Sequence, residues 1–383
     1  ITPAKRLGML SADEYMDVYN TAFDNAEKYD PQGFADGKYV RNNPADFPNL
    51  FDSNGKPLYN TNWEKEIYKP TSAHNHELAI RGGSEKSLYS LSLGYAKQGG
   101  LMANSNFERY SMKLTLDNDA TKWLKVGGSV FLNKSNTNEI DGGSGGLNVP
   151  RMVMEALPIL PINYPDGSWG RNKDWPGMEG GENPVRISKQ RTQTNPKTQI
   201  LSQVYSTIKF SPALSMRTNF SNEFKFDKYN FYSGRDLNAL SADQKGVAGI
   251  SSTNEYYWQF ENYFNYNKTF NTDHSIAALA GLSWQRRSWE SFGASAQNFI
   301  DDYWGWHNIG VGTTLQKPSS SDQEWSLNSY FGRFNYSYKS KYLVTFTGRY
   351  DGASKFGENS KYAFFPSAAL AWNLGEESFI KDI

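Results

Sequence analysis

The stretch LYSLSLGYAKQGGL, residues 88–101, separates into two series when every second residue is read. Tyr89, Leu91, Leu93 and Tyr95 form one; Ser90, Ser92, Gly94 and Ala96 form the other. Alternate side chains of a strand point to opposite faces, so this segment predicts a strand with one greasy face and one nearly bare face. The period recurs down the chain. Tyr110, Met112, Leu114 and Leu116 alternate with Arg109, Ser111, Lys113 and Thr115. Leu214, Met216, Phe220, Phe224 and Phe226 alternate with Ser215, Arg217, Asn219, Glu223 and Lys225. Tyr342, Val344, Phe346 and Tyr350 alternate with Thr345, Thr347, Arg349 and Asp351.

About eleven strand-like stretches follow from residue 74 onward: 75–81, 87–98, 107–117, 123–134, 198–210, 214–230, 252–268, 274–290, 326–339, 341–351 and 361–372. Several are about twice the roughly 5–6 residues usual in soluble sheets. The connections alternate in length. Those at 82–86, 118–122, 211–213, 269–273 and residue 340 are short, whereas 99–106, 135–197, 231–251, 291–325 and 352–360 are longer. An up-and-down sheet would gather all the tight turns at one end and all the loops at the other, the asymmetry of outer-membrane barrels. The strands also meet the roughly 9–11 residues needed to cross a bilayer at a tilt.

The expected fold is therefore all-β: a transmembrane antiparallel up-and-down β-barrel. On it Tyr89, Leu91, Leu93, Tyr95, Leu114, Phe220, Val344 and Phe346 face outer-membrane lipid. Tyr89, Phe210, Tyr338, Tyr342 and Trp372 fall near the turn end, and Tyr95, Tyr110, Trp258, Trp284 and Tyr350 near the loop end. Two belts of amphipathic rings suit two membrane interfaces. A soluble β-sandwich also alternates, but it explains neither the strand length nor the one-sided loops.

Composition agrees. The 383 residues carry 40 basic and 40 acidic side chains, so no net charge draws the chain to nucleic acid or to an anionic surface. There is no cysteine, which removes disulfides and thiolate chemistry. The longest apolar run, Ile276 to Leu282, is far below the roughly 18 residues of a membrane helix. The opening ITPAKRLGML has neither initiator Met nor signal-peptide core, and is expected of a mature chain or a piece of a longer one. Residues 1–73 read differently from the rest. Ser11 with Glu14 forms a capping-box pattern before Tyr15, Val18, Tyr19 and Phe23, predicting one short helix in an otherwise irregular segment. With the short turns on the periplasmic side, 1–73 is an extracellular loop segment and 74–383 a partial transmembrane barrel. Eleven strands with two free edges cannot sit in lipid, so further strands are expected outside this sequence.

Several segments closely resemble one family. YFGRFNYSYKSKYLVTFTGRYDGASKFGENSKYAFFPSAALAWNLGEESFIKD (330–382), IRGGSEKSLYSLSLGYAKQGGL (80–101) and FERYSMKLTLDNDATKWLKVGGSV (107–130) are similar to the SusC/RagA-type TonB-dependent transporters of Bacteroidota. LSADEY (10–15), NTNWEKEIYKP (60–70) and NPVRI (183–187) extend the match in the right order. Asn62 stands where Asp is usual before Trp63, and Ala353 where Ser usually follows Asp351-Gly352. The resemblance implies a 22-stranded barrel holding a plug, a size class of outer-membrane transporters. It also implies active import of a glycan or peptide nutrient, a SusD-like surface lipoprotein as lid, and a TonB complex contacted through a segment outside this sequence. The alternative is a passive porin or surface-binding barrel without energy coupling.

Chemistry-bearing patterns are few. Gly142-Gly143-Ser144-Gly145-Gly146 matches G-x-S-x-G but opens the longest loop rather than a strand-to-helix elbow, so a flexible hinge is expected and no enzyme. His74 and His76 share a strand face without a visible third ligand. Glu376-Glu377 reads as solvated charge in a turn, and the acids of Asp30–Asp36 offer at most a weak calcium site, with no other cofactor implied. The face opposite the greasy one carries Arg109, Lys113, Arg217, Glu223, Arg333 and Arg349, expected against lumen and plug. Trp169, Trp175, Tyr303, Trp304 and Trp306 in the long loops are the candidates for substrate contact, because aromatic rings stack on sugars and grip peptide side chains. Their rival role is packing against the lid or ordering the loop.

Overall fold

A computed structural model describes residues 8–140, 147–177, 182–235, 237 and 244–381. One antiparallel sheet of thirteen strands dominates it. In chain order these are β1 (Ala73–Gly83), β2 (Ser87–Gly99), β3 (Asn106–Asp119), β4 (Leu124–Asn138), β5 (Arg191–Thr194), β6 (Lys197–Lys209) and β7 (Leu214–Ser233). There follow β8 (Val247–Phe270), β9 (His274–Gln297), β10 (Thr314–Leu315), β11 (Ser319–Tyr338), β12 (Tyr342–Ala353) and β13 (Tyr362–Trp372). Each long strand pairs with its sequence neighbour, an up-and-down meander whose edges are β1 and β13.

The eleven expected strands are present, and two short ones join them. β5 and β6 lie end to end between β4 and β7. Pro196 separates them: it has no N–H to give the ladder, although its carbonyl still accepts from Lys228 N at 2.9 Å. β10 clips onto the end of β9. Five strands run clearly longer than the alternation indicates, all at the loop end: β4 reaches Asn138, β7 reaches Ser233, β8 begins at Val247, β9 extends to Gln297 and β11 begins at Ser319. In the β11 extension SSSDQEW (319–325) both faces are largely polar, and in the β8 extension VAGIS (247–251) apolar residues are not alternated with polar ones, so the ladder continues where the two-residue period has vanished.

The register never slips by one. Tyr89 pairs with Leu116, Leu116 with Gly128, Gly128 with Val204, Val204 with Phe220, Phe220 with Phe260 and Phe260 with Trp284. On the far side Phe334 pairs with Phe346, and Tyr338, Tyr342 and Trp372 stand in one row. One face of the sheet thus carries Tyr89, Leu91, Leu93, Tyr95, Leu114, Phe220, Val344 and Phe346. A one-residue shift in any strand would put its polar set on that face, which is why the pattern pins the pairing. Along β9, ten residues separate the row of His274 from that of Trp284; at about 3.3 Å each and a tilt near 40°, that is a band about 25 Å tall.

Connections at 84–86, 120–123, 210–213, 271–273 and 339–341 close one end of the sheet. Asn271 and Thr272 (φ 47° and 64°) and Lys339 and Ser340 (φ 51° and 56°) take consecutive left-handed conformations, the geometry that matches the twist of a tight hairpin. Everything longer lies at the other end, where it folds into a cap rather than a fringe of loops. The segment before β1 holds three helices, α1 (Ala12–Tyr29), α2 (Pro31–Ala35) and α3 (Trp63–Ile67), not the one expected. The connection from β4 to β5, expected as loop, adds α4 (Val149–Glu155) and α5 (Pro184–Gln190). Met16 and Tyr19 of α1, Leu50, Phe51, Trp63 and Ile67 pack with Val149, Met152, Ile159, Leu160, Trp175 and Ile187 in one buried cluster. A last helical turn, α6 (Ser378–Lys381), follows β13.

Candidate functional site

The face opposite the apolar one is a wall of charged and amide side chains. At its centre Lys225 Nζ lies 3.2 Å from Glu223 Oε2 and 3.1 Å from Glu255 Oε1. Arg287 Nη2 donates to the same Glu255 oxygen at 2.6 Å, and Gln199 Nε2 donates to Glu223. The chain Gln199–Glu223–Lys225–Glu255–Arg287 therefore crosses β6, β7, β8 and β9 with alternating sign. Pairs this accessible to water stabilise the sheet by about 0–1 kcal/mol each; their effect is to hold the charged heads in place along the wall. Nearer the turns, the Arg217 guanidinium lies 3.9 Å above the Tyr205 ring and donates through Nε to Asn219 Oδ1 at 2.9 Å. Tyr205 donates its hydroxyl to Asp117. Nearer the loops, Arg349 Nε meets both Asp351 oxygens at 2.7 and 2.8 Å, and its Nη2 donates to Ser329 Oγ at 2.7 Å. Arg109, Lys113 and Arg333 stand exposed on this same face. Glu255 and Arg287 were not singled out from the sequence, yet the parity set by Trp258 and Trp284 places both on the polar face.

Over the loop end of this wall sits the cap. Trp175, expected among the substrate contacts, is instead fully buried, its ring centroid 5.4 Å from Tyr19, 4.9 Å from Phe47 and 5.0 Å from Phe51. No face of it is left for a ligand; it is the packing centre of the cap. Trp169 is half-buried against the same cluster, with Lys189 Nζ 5.5 Å from its ring centroid. Trp306 packs against a second small cluster of Tyr232, Ala248, Ala296 and Phe299, and stacks on His307 at 3.8 Å. Tyr303 and Trp304 are open to solvent at 80% and 44% exposure, edge to face at 5.1 Å. Asp302 holds their loop by accepting from Tyr232 Oη at 2.6 Å and from Arg235 N at 2.9 Å.

The cap is fastened by polar groups as well as by packing. Trp63 Nε1 donates to Leu157 O at 3.0 Å, and Thr61 N to Pro158 O at 2.8 Å, tying the first segment to the β4–β5 connection. Asn183 accepts from Val185 N and Arg186 N at the start of α5 and donates to Ile162 O and Gly170 O. Beside it Glu182 is buried between Arg171 (3.1 Å) and Arg186 (3.2 Å). Burial pushes the Glu182 carboxyl above the usual range, and the two guanidiniums work against that shift. Burial likewise lifts the Tyr15 hydroxyl to about 12.

No family model matches the chain. Individual proteins do. TonB-dependent receptor P3 of Formosa agariphila is 36% identical over 332 residues, 84% of this chain and 32% of the relative. TonB-dependent receptor SusC of Bacteroides thetaiotaomicron is 26% identical over 353 residues, 85% of this chain and 33% of the relative. The solved RagAB peptide transporter superposes with a TM-score of 0.73 at 20% identity, covering 85% of this chain and 36% of that one. Over most of its length this chain is similar to TonB-dependent receptors, SusC among them. It spans about a third of the length of the curated relatives it matches.

The remaining candidates resolve into structural parts. The Gly142–Gly146 motif lies outside the described residues. His74 and His76 stack in parallel at 6.4 Å on β1, and among the described residues no group of three metal-ligating side chains converges. Asp30 caps α2 by accepting from Gly33 N and also binds Lys38 Nζ at 3.0 Å and Tyr39 Oη at 3.1 Å, while Asp36 accepts from Gln32. A lysine and a helix cap thus occupy the acids considered for calcium. Glu377, expected as solvated charge, is a pin: it accepts from Lys341 Nζ (3.1 Å), Tyr342 Oη (2.8 Å) and Trp372 Nε1 (3.1 Å), holding the final turn against β12 and β13. These donors keep its carboxyl below the usual carboxylate range.

Proposed function

We propose that this chain forms barrel wall and extracellular cap of a TonB-dependent importer in the outer membrane. The observation that carries the reading is the segregation of the sheet. One face is predominantly apolar, with aromatic rings toward both strand ends and its few polar groups paired with each other, as in Ser202–Asn222 and Thr218–Asn262; the other carries the Gln199–Arg287 charge network, and all tight turns lie opposite the cap. A bilayer outside and a hydrated lumen inside demand that division, because only a closed sheet can satisfy its backbone in lipid. The free edges β1 and β13 are where further strands would continue the wall. Relatives named as TonB-dependent receptors support energy coupling, and the likeness to a peptide transporter supports a peptide as cargo; exposed rings such as Tyr303 and Trp304 suit a glycan equally. A SusD-like lipoprotein over the cap and a TonB complex on the periplasmic side complete the reading. The barrel contributes walls and loops, not covalent chemistry.

The test uses the full-length protein in its own cell. Uptake of labelled oligosaccharides and oligopeptides is measured with and without TonB, in the wild type and in a deletion strain. Uptake that needs both the protein and TonB is expected. Uptake that needs the protein but persists without TonB would identify a passive pore instead.

A further inference from the structure

The apolar face is not uniform. Between β1 and β6 it holds a groove of about 720 Å³. Its floor is the row Leu93, Met112, Leu132 and Ile200, and its loop-side rim is the next outward row, with Tyr95, Tyr110 and Lys134. The groove crosses five strands, on the order of 19 Å at about 4.8 Å per strand, comparable with an extended fatty acyl chain. The rim carries cationic charge. Glu108 is the acidic group beside it, and its carboxylate already accepts from Tyr95 Oη at 2.9 Å and Tyr110 Oη at 3.0 Å. Lys97, opposite Glu108, and Lys134 are both exposed on this face. Among the described residues Lys134 Nζ makes no hydrogen bond or ion pair.

We propose that this groove seats one acyl chain of an anionic outer-membrane lipid, with the lipid phosphate held at Lys134. The proposal rests on the membrane reading above. Three features select this occupant. The side chains of the floor row are wholly apolar. The rim lies at the loop-end belt, where aromatic rings mark the headgroup level. A lysine there snorkels its ammonium toward the interface and attracts anionic headgroups. A zwitterionic lipid would fill the same floor without the charge contact.

The full-length receptor, extracted from outer membranes and delipidated, is exposed to phosphatidylglycerol or phosphatidylcholine of matched chains, and retained lipid is counted by native mass spectrometry. Wild type is expected to favour phosphatidylglycerol roughly fivefold, the Boltzmann equivalent of one lysine at an anionic surface. Lys134→Gln should abolish the preference while keeping retention of both lipids, and Leu132→Trp, which fills the floor, should lower both. Equal retention in the wild type, or an unchanged preference in Lys134→Gln, would overturn the proposal. Displacement of the lipid by millimolar inorganic phosphate would also overturn it, since a free anion would then be the occupant. A receptor absent from the outer-membrane fraction would overturn the membrane reading together with this site, whereas a correctly located receptor without the preference overturns the site alone.

Discussion

Leu91 and Ser92 are neighbours in the chain, yet they meet different surroundings. Leu91 lies in the apolar row with Ile80 and Leu114, Ser92 in the polar row with Lys113. Leu91→Arg should destabilise the barrel by about 2–4 kcal/mol if this row lies near the bilayer midplane, and Ser92→Arg should escape that lipid penalty. Urea titration of the full-length protein in bilayers measures both; equal costs would contradict the assignment of faces. The aromatic loop residues divide in a similar way. Trp175→Ala should cost the cap about 3–5 kcal/mol through the cavity it leaves. The Tyr303→Ala, Trp304→Ala pair removes exposed rings and should leave cap stability unchanged while weakening ligand capture roughly tenfold. Calorimetry and binding of cargo to the purified complex separate the two. From sequence both sets looked alike, because an aromatic ring in a loop gives no sign of whether another segment covers it.

Among the elements, α1 behaves as its sequence indicates. Ser11 Oγ accepts from Glu14 N at 3.3 Å, and Glu14 Oε2 accepts from Ser11 N at 2.8 Å, a complete capping box. Those bonds hold the Glu14 carboxyl below its ordinary 4.5. A lowered folded pKa means that this contribution is present above about 4.5 and is lost as pH falls through the folded value. Glu182 has the opposite sign: its raised pKa makes its ionised form costly, so its contribution is lost as pH rises through the folded value. Arg186→Ala removes one of two counter-charges and should cost the cap about 3 kcal/mol near neutrality, with Arg171 retained. The defect should shrink on acidification as Glu182 takes up a proton. Hydrogen exchange of α5 amides across pH 4–7, corrected for intrinsic rates, reports it; a defect independent of pH would remove Glu182 from the explanation. None of this ion triad was evident beforehand, since Arg171 and Glu182 are brought together by the cap's folding and not by a helical or strand period.

For the whole molecule, the division into apolar face, polar face and cap predicts which segments are separable. Replacing residues 301–310 with a short Gly-Ser link removes the Tyr303–Trp304 display without touching the Trp175 cluster. Outer-membrane assembly, read by heat-modifiable gel mobility, should persist, and uptake should fall. Loss of assembly would show that this connection shapes the barrel rather than presenting a surface. An excision within 149–190 should behave differently and unfold the cap, because α4, α5 and Trp175 lie there. Sequence alone, which reads both stretches as surface loops, gives no reason for the two excisions to differ.

The segment LYSLSLGYAKQGGL and its counterparts determined the eleven principal strands by themselves: their order and the parity of their faces follow from a period of two. That is legible because each side of the sheet meets one kind of surroundings, so each residue's face is written locally. The tertiary structure decided the rest. It alone turned two distant loop segments into one helical cap, buried Trp175, and drew Glu377 onto Lys341, Tyr342 and Trp372. Those outcomes depend on contacts between residues far apart in the chain, and no local period records them.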